Sequence, residues 1–219
     1  MKLIMIGAGG HGKVVLSTAL EMGIEVIGIL DDTPEKWNKM LLDVPILGPI
    51  SLFEELKNDE VSFIIAIGDN LARKKIAMQI SKRYKDVRWA TLIHPKAYVH
   101  SSAKIEQGSV VFAGAIVQPY ARIGEHTIIN TAAVVEHDCN VGNWVHLAPG
   151  VRLAGSVTVK DGAFLGVGSV VIPLKEIGEW TTIGAGSVVV RDIPQKSVAY
   201  GVPAKVHRSI DIVDTSDNS

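Results

Sequence analysis

One histidine of the sequence stands directly between two carboxylates, in the triplet Glu136-His137-Asp138. A neutral imidazole can take a proton from a nucleophile, and a neighbouring carboxylate can stabilise the imidazolium that forms. The triplet is therefore a candidate for general-base chemistry. The spacing of the other His, Cys and Asp residues matches no zinc-ligand pattern, so we predict no metal site.

A glycine-rich loop near the amino terminus is a second candidate site, for a phosphorylated ligand. Gly7-x-Gly9-x-x-Gly12, with Asp31 further along the chain, matches the dinucleotide fingerprint, in which backbone N–H groups approach a pyrophosphate at a helix N-terminus. The segment before the repeat described below has room for one mononucleotide-binding half only. We therefore expect a nucleotide diphosphate, with NAD as the alternative. His11 inside the loop favours a ligand over a plain strand–helix turn.

The elements around this loop alternate between strand and helix. Strand patterns cover residues 2–6, 25–30, 61–69 and 87–93, and helical patterns cover residues 13–22, 51–57 and 70–84. This alternation is typical of a parallel sheet with right-handed crossovers. We predict an α/β, Rossmann-like domain over residues 1–94.

A six-residue repeat dominates the rest of the chain. An aliphatic residue recurs at every sixth position from Val99 to Val189, and a second, usually small residue follows each one after four positions. One short strand plus a tight corner accounts for six residues, three such units make a triangular coil, and the coils stack. The pattern predicts a parallel β-helix. Glycines that directly follow the aliphatic residue are expected to permit the corners. They are Gly124, Gly142, Gly166, Gly178 and Gly184.

Composition excludes several classes of protein. The 219 residues carry a formal net charge of -1, which argues against a nucleic-acid binder that relies on a basic surface. Hydrophobic residues make up 47%, so the chain can form a sizeable core, and no apolar run is long enough to span a membrane. The single cysteine, Cys139, falls at the small inward position of its repeat. We expect it in the core, in a reducing, cytoplasmic compartment.

Several segments together resemble one family, the hexapeptide-repeat sugar acyltransferases of the bacillosamine N-acetyltransferase (PglD) and sialic acid O-acetyltransferase (NeuD) type. They are Gly7–Gly12, Leu30-Asp31-Asp32, Ile65–Asn70 with Arg73-Lys74-Lys75, Asn130–His146 and Gly201–Lys205. The resemblance implies a Rossmann-like domain joined to a left-handed parallel β-helix at 95–207, with a tail at 208–219. It also implies homotrimers, acetyl-CoA as donor and a UDP-linked 4-amino sugar as acceptor.

The resemblance also assigns roles to residues. His137 becomes the catalytic base, and Asp138, which stands where the aminosugar enzymes have Glu, orients its ring; Glu136 is the second candidate for that role. The expected acetyl-CoA contacts are His146, Gly155, Val167 and Lys205. The expected substrate contacts are Gly9, Gly10, His11, Asp31, Asp32, Gly68 and Asn130.

The position of two histidines in the repeat bears on assembly. His137 and His146 lie nine residues apart, or one and a half sides of a coil, so we expect them to face different clefts. An active site that uses both would then lie between subunits.

Other polar residues receive simpler interpretations. Arg73-Lys74-Lys75 is expected on a solvated helix face, and the tail from Asp211 to Ser219 is expected to fray. Lys205 and Arg208 either meet the CoA phosphates or form a solvated basic end. The remaining histidines are expected at the surface or in packing contacts; they are His94, His100, His126 and His207.

The predicted function is direct acetyl transfer from acetyl-CoA to the amine of a nucleotide-linked 4-amino sugar, with no metal. Three alternatives stay open from the sequence. They are O-acetylation of sialic acid or a polysaccharide sugar, a non-catalytic nucleotide-binding trimeric scaffold, and an NAD-dependent oxidoreductase.

Overall fold

A computed structural model describes residues 1–211 of the chain. Two compact units divide these residues, the first from Met1 to Pro95 and the second from Lys96 onward. The last strand ends at Ser209, two residues inside the segment predicted as a tail, and residues 212–219 of that tail lie outside the described residues.

The first unit is an α/β domain built on a five-stranded sheet of order β3-β4-β2-β1-β5. Strand β1 runs parallel to both β2 and β5, and only the short β3 is antiparallel to its neighbour. Apolar residues of β1, β2 and β5 form the core. The elements are β1 Lys2–Ile6, α1 Gly10–Glu21, β2 Glu25–Leu30, β3 Met40–Leu41, β4 Val44–Gly48, α2 Phe53–Leu56, β5 Val61–Ile65, α3 Asn70–Arg83 and β6 Leu92–Ile93, with 3-10 turns at Pro34–Lys36 and Ile50–Leu52.

The elements of this unit differ from the predicted ones at several boundaries, and strands β3 and β4 were not predicted. Helix α1 begins at Gly10, inside the glycine loop, rather than at Lys13. Strand β5 ends at Ile65, and the chain turns over residues 66–69 before α3. The predicted strand at 87–93 is reduced to β6, preceded by a bridge between Trp89 and Phe63. Strand β5 thus stops early, where the chain bends into the turn before α3.

The second unit is a parallel β-helix, as the repeat predicts. Its repeats are two-residue strands spaced every six residues, and each strand up to Val170–Val171 pairs in parallel with the strand eighteen residues later. The strands are β7 Tyr98–Val99, β8 Lys104–Ile105, β9 Val110–Val111, β10 Ile116–Val117, β11 Arg122–Ile123, β12 Ile128–Ile129, β13 Val134–Val135, β14 Asn140–Val141, β15 His146–Leu147, β16 Arg152–Leu153, β17 Thr158–Val159, β18 Phe164–Leu165, β19 Val170–Val171, β20 Glu176–Ile177, β21 Thr182–Ile183 and β22 Val188–Val189, followed by the hairpin β23 Ser197–Gly201 and β24 Ala204–Ser209.

Three sheets form the sides of this coil. Side one contains β7, β10, β13, β16, β19 and β22, side two contains β8, β11, β14, β17 and β20, and side three contains β9, β12, β15, β18, β21 and the hairpin. The second residue of every repeat strand from Val111 to Val189 is at most 1% exposed. Burial of one such aliphatic side chain contributes about 1.5–3 kcal/mol, so this column stabilises the unit without aromatic residues.

The corners of the coil depend on a different position from the one predicted. Every sixth residue from Gly108 to Gly186 has a φ in the left-handed region, and eight of these are not glycine. Gly124 and the other glycines that follow the aliphatic residue lie outside that region, so the prediction that they permit the corners is wrong. They are needed because coils approach closely: a Cβ on Gly124 would lie 2.6 Å from the backbone carbon of Gly142.

Small polar residues inside the coil hydrogen-bond to backbone groups, with the exception of the buried Ser169 hydroxyl, which has no partner within the described residues. The Ser109 hydroxyl donates to the Gly124 carbonyl at 2.7 Å and accepts from the Thr127 N–H at 2.9 Å. Cys139 lies at the equivalent position, and its thiol donates to the Ala154 carbonyl at 3.1 Å. Burial raises the pKa of this thiol to about 11, so it stays protonated near neutral pH. Its predicted place in the core is confirmed.

The close approach of coils at Gly124 gives a stability prediction. Gly124→Ala is expected to destabilise the protein by about 1–3 kcal/mol or more, because the new methyl group meets rigid backbone. Ala132→Gly is the matched control: it removes a side chain at a left-handed corner, φ 55°, and should keep or raise stability. Thermal unfolding at equal protein concentration measures both. Equal melting temperatures for Gly124→Ala and wild type would contradict the prediction.

Candidate active site

His137 and Asp138 form a hydrogen-bonded pair at one corner of the β-helix. Nδ1 of His137 lies 2.8 Å from Oδ2 of Asp138, and both side chains are more than half exposed. Asp138 occupies a left-handed corner position, φ 60°, and its N–H donates to the Pro119 carbonyl of the preceding coil at 3.1 Å. When the carboxylate accepts from Nδ1–H, Nε2 keeps its lone pair and can act as a base.

The structure pairs His137 with Asp138 rather than with Glu136. Glu136 directly follows β13, and its N–H donates to the Leu153 carbonyl of the next coil. Because the chain bends at this corner, the short Asp138 side chain reaches Nδ1 of the His137 ring. An aspartate is therefore long enough for this contact at this position.

Gly155 lies directly against the imidazole ring of His137. It lies one coil further along, and the N–H of its neighbour Ser156 donates to the His137 carbonyl at 2.9 Å. A Cβ on Gly155 would lie 2.6 Å from both Cε1 and Nε2 of His137. Only glycine leaves room for the imidazole in this orientation, because other side chains would occupy the space of its reactive edge.

A second polar pair joins Asn130 and His146. The Asn130 amide nitrogen lies 3.0 Å from Nε2 of His146, and the Asn130 oxygen accepts from the Thr131 N–H at 2.8 Å. His146 is 8% exposed, and its ring packs edge-on against Phe164 at 5.2 Å. An amide that donates to Nε2 assigns the ring proton of His146 to Nδ1.

These two pairs lie on opposite parts of one coil. His137 sits at the corner between side one, which contains β13, and side two, which contains β14. His146 belongs to β15 on side three. In a triangular coil the corner between two sides lies opposite the third side. The structure therefore brings His137, Asp138 and Gly155 together, and Asn130 and His146 together, without joining the two groups.

In the first unit, the Asp31 carboxylate is hydrogen-bonded to the backbone of the glycine loop. Its carboxylate accepts from the Ala8 N–H at 2.7 Å, the Thr33 N–H at 3.0 Å and Lys36 Nζ at 2.9 Å. Burial alone would raise the pKa of this carboxyl, but the bonds from Thr33, Ala8 and Lys36 outweigh burial and lower it to about 2. Asp31 therefore acts on the loop's shape, while the next residue, Asp32, accepts from the Ile50 N–H at 2.8 Å.

The loop itself presents backbone at the start of a helix. Gly9 is the N-cap residue of α1, in an extended conformation, and Gly10 and His11 are the first helical residues. A Cβ on either Gly9 or Gly10 would meet nothing within 4 Å, so this backbone is open to approach. The N-terminus of a helix favours anions, which suits the predicted diphosphate.

Beside this loop, the turn at residues 66–69 is fixed by Arg73. The prediction that Arg73 lies on a solvated helix face is wrong, because this residue is 1% exposed and donates to the Ile67 and Gly68 carbonyls at 2.9 and 3.2 Å. Its charge is stabilised by carbonyl dipoles of the turn. The triplet Arg73-Lys74-Lys75 is uniformly basic in the sequence, and only the fold shows that Arg73 is its buried member.

The other predicted positions are distributed over the surface and the packing contacts of the β-helix unit. Val167 is 55% exposed, and Lys205 and Arg208 lie exposed on β24. His126 is buried and stacks on Trp144 at 4.6 Å, and His207 stacks on Tyr200 at 3.6 Å. Within residues 1–211, no group of three or more His, Cys, Asp or Glu is arranged to hold a metal ion. In the same residues, no helix has the length and apolarity to cross a membrane.

The chain combines a glycine-loop α/β unit with a hexapeptide β-helix, and comparison with known proteins shows the family to which this architecture belongs. The family model of the PglD N-terminal domain matches residues 2–80. PerB from Caulobacter crescentus, solved with CoA and GDP-perosamine, has a TM-score of 0.88 and 40% identity, covering 95% of this chain and 98% of that one. The acetyltransferase domain of PglB from Neisseria gonorrhoeae, solved with acetyl coenzyme A, has a TM-score of 0.88 and 35% identity, covering 94% and 98%.

A curated relative matches part of the chain. The GDP-perosamine N-acetyltransferase of Escherichia coli O157:H7 is 29% identical over 109 residues, which are 50% of this chain and 48% of that enzyme. The match therefore spans about half the length of this relative. The chain belongs to the family of hexapeptide-repeat sugar acetyltransferases with a PglD-type N-terminal domain, whose co-substrate is acetyl-CoA.

The contact between Gly155 and His137 predicts a specific coupling. Gly155→Ala is expected to displace the imidazole of His137, the candidate base, and to lower kcat by about 100-fold, because small misplacement of a catalytic group is costly. Thermal stability should change little, since the ring is the mobile end of an exposed side chain. In a double-mutant cycle, Gly155→Ala should have no further effect in a His137→Ala background. Additive losses in the double variant would contradict this coupling.

Proposed function

We propose that this protein transfers the acetyl group of acetyl-CoA to the amine of a nucleotide-linked 4-amino sugar. The observation that carries the proposal is the exposed His137–Asp138 pair, seated on Gly155. It occurs in a chain that is 40% identical, over 95% of its length, to a protein solved with CoA and GDP-perosamine. The use of acetyl-CoA and the single reduced thiol suit the cytoplasm.

In the proposed mechanism His137 is the general base. Nε2 accepts a proton from the amine as the nitrogen attacks the thioester carbonyl, and Asp138 stabilises the imidazolium at Nδ1. The carbon–sulfur bond then breaks, and the CoA sulfur leaves with its electron pair and takes up a proton. The backbone N–H of Gly155 is our candidate donor to the oxyanion that forms on the carbonyl.

We assign the acceptor's nucleotide to the first unit. The diphosphate would lie against the backbone of Gly9, Gly10 and His11 at the start of α1, where the helix favours anions. Gly68 directly follows Ile67, which lies close to Gly7 of this loop, and Asp32 is an exposed carboxylate next to the loop-binding Asp31. This backbone-based binding suits a chain whose net charge of -1 provides no general attraction for anions.

We assign the donor to the β-helix unit and propose a homotrimer with active sites between subunits. His146, Val167 and Lys205 would contact acetyl-CoA, and Asn130 would align His146 and reach the acceptor. The support is geometric: His137 and His146 lie on opposite parts of their coil, so a site that uses both requires two chains.

A coupled assay of thiol release tests the reaction. The protein is mixed with acetyl-CoA and a panel of UDP-, dTDP- and GDP-linked 4-amino sugars, with free sialic acid as the hydroxyl acceptor. We expect turnover with at least one amino sugar, and a loss of about 10²–10⁴-fold in His137→Ala. Turnover with sialic acid alone would establish O-acetylation instead, and no turnover with any acceptor would favour a nucleotide-binding scaffold.

Mixed trimers test the placement of the site between subunits. His137→Ala and His146→Ala are each expected to be inactive alone. When the two variants are unfolded together and refolded, or co-expressed, hybrid trimers should regain activity because some interfaces carry both wild-type histidines. Refolded single variants serve as controls. If hybrids of confirmed mixed composition stay inactive, or if the wild type is fully active as a monomer, the intersubunit site is wrong.

A further inference from the structure

Arg73 is a buried charge that donates several hydrogen bonds to one short turn. Its side chain, in the first turn of α3, is 1% exposed, and burial of a charge is costly unless it is well hydrogen-bonded. Nη1 donates to the Ile67 carbonyl at 2.9 Å, the Gly68 carbonyl at 3.2 Å and the Asp69 carbonyl at 3.4 Å. Nη2 donates to the Asn70 side-chain oxygen at 2.9 Å.

Burial of the Arg73 guanidinium lowers its pKa to about 9, although the nearby Asp69 carboxylate acts in the opposite direction and raises the pKa. The guanidinium therefore stays charged near neutral pH. A buried positive charge thus lies directly beneath the turn at residues 67–69.

The direction of these carbonyls matters for what the turn can bind. In a trans peptide the C=O and N–H groups point to opposite sides. The carbonyls of residues 67, 68 and 69 all point toward the Arg73 guanidinium. The N–H groups of residues 68, 69 and 70 belong to the same peptide units and therefore point away from it. Successive N–H groups on one side of a turn form a concave surface that suits anions.

This turn is in contact with the glycine loop. The Ala66 N–H donates to the Ile6 carbonyl at 2.7 Å. A Cβ on Gly7 would lie 2.9 Å from Ile67 Cγ1 and 3.0 Å from the Ala66 carbonyl oxygen. A change in the turn would therefore reach the loop that begins α1, with no free space between them to absorb it.

We propose that Arg73 is a positioning residue for the nucleotide-sugar: it holds the turn at 67–69 in the shape that presents Gly68 to the diphosphate, without touching the ligand itself. This inference rests on the function proposed above. The planar guanidinium can serve several carbonyls at fixed angles, whereas a lysine ammonium is a point donor that cannot reproduce this fork. Arg73→Lys keeps the charge and removes the geometry.

Steady-state kinetics of the full chain distinguish a positioning role of Arg73 from a role in stability alone. For Arg73→Lys we expect KM for the amino sugar used by the wild type to rise at least about tenfold, with KM for acetyl-CoA and kcat within about twofold. Asn70→Ala, which removes one partner of the guanidinium, should raise the same KM by a smaller factor. Lys75→Met, an exposed cation on the same helix, is the matched control and should leave all three constants unchanged.

Direct measurement of nucleotide binding tests the role of Arg73 even if the wild type shows no acetyl transfer. Calorimetric titration of wild type and Arg73→Lys with UDP and GDP should show a Kd weakened at least about tenfold for whichever nucleotide the wild type binds. A folded Arg73→Lys protein with an unchanged sugar KM and nucleotide Kd would overturn the positioning role, even if its melting temperature falls. Absence of acetyl transfer by the wild type, with this binding difference intact, would overturn the proposed reaction and not the role of Arg73.

Discussion

The stacking of eighteen-residue coils is the constraint on which the β-helix unit depends. Each strand from β7 to β19 pairs in parallel with the strand one coil later, so its residues lie beside the residues eighteen positions further along the chain. The buried aliphatic column holds this register. It also places His137 against Gly155, where a side chain would displace the imidazole. The same forces that stabilise the fold therefore set the orientation of the His137 ring.

The sequence was most informative where the structure is periodic. The six-residue spacing predicted the β-helix, its inward residues and the core position of Cys139, because a period constrains many residues at once. Family resemblance drew attention to His137 and Asp138, but the contact between them depends on the bend at a corner. The corners themselves were misassigned, since a left-handed residue that is not glycine leaves little trace in composition.

Predictions were weaker in the α/β unit, where partners are distant in the chain. The glycine spacing indicated the loop, but the bond from Ala8 to Asp31 joins residues 23 positions apart. Arg73 was misjudged for a related reason: a basic triplet resembles a solvated face, and its burial follows from how the turn before α3 folds back. In both cases a charged side chain shapes backbone, and the backbone in turn is expected to meet the ligand.

The eighteen-residue register also governs how such a protein can change length during evolution. A single inserted residue within a coil would move every later aliphatic side chain off the central column and place polar residues there. Insertion or loss of a whole coil preserves the column and returns each later residue to its own side. We therefore expect relatives to differ in β-helix length by complete coils or by loops that bulge from corners, with the coils from Pro119 to Ser156, which carry the His–Asp pair, kept intact.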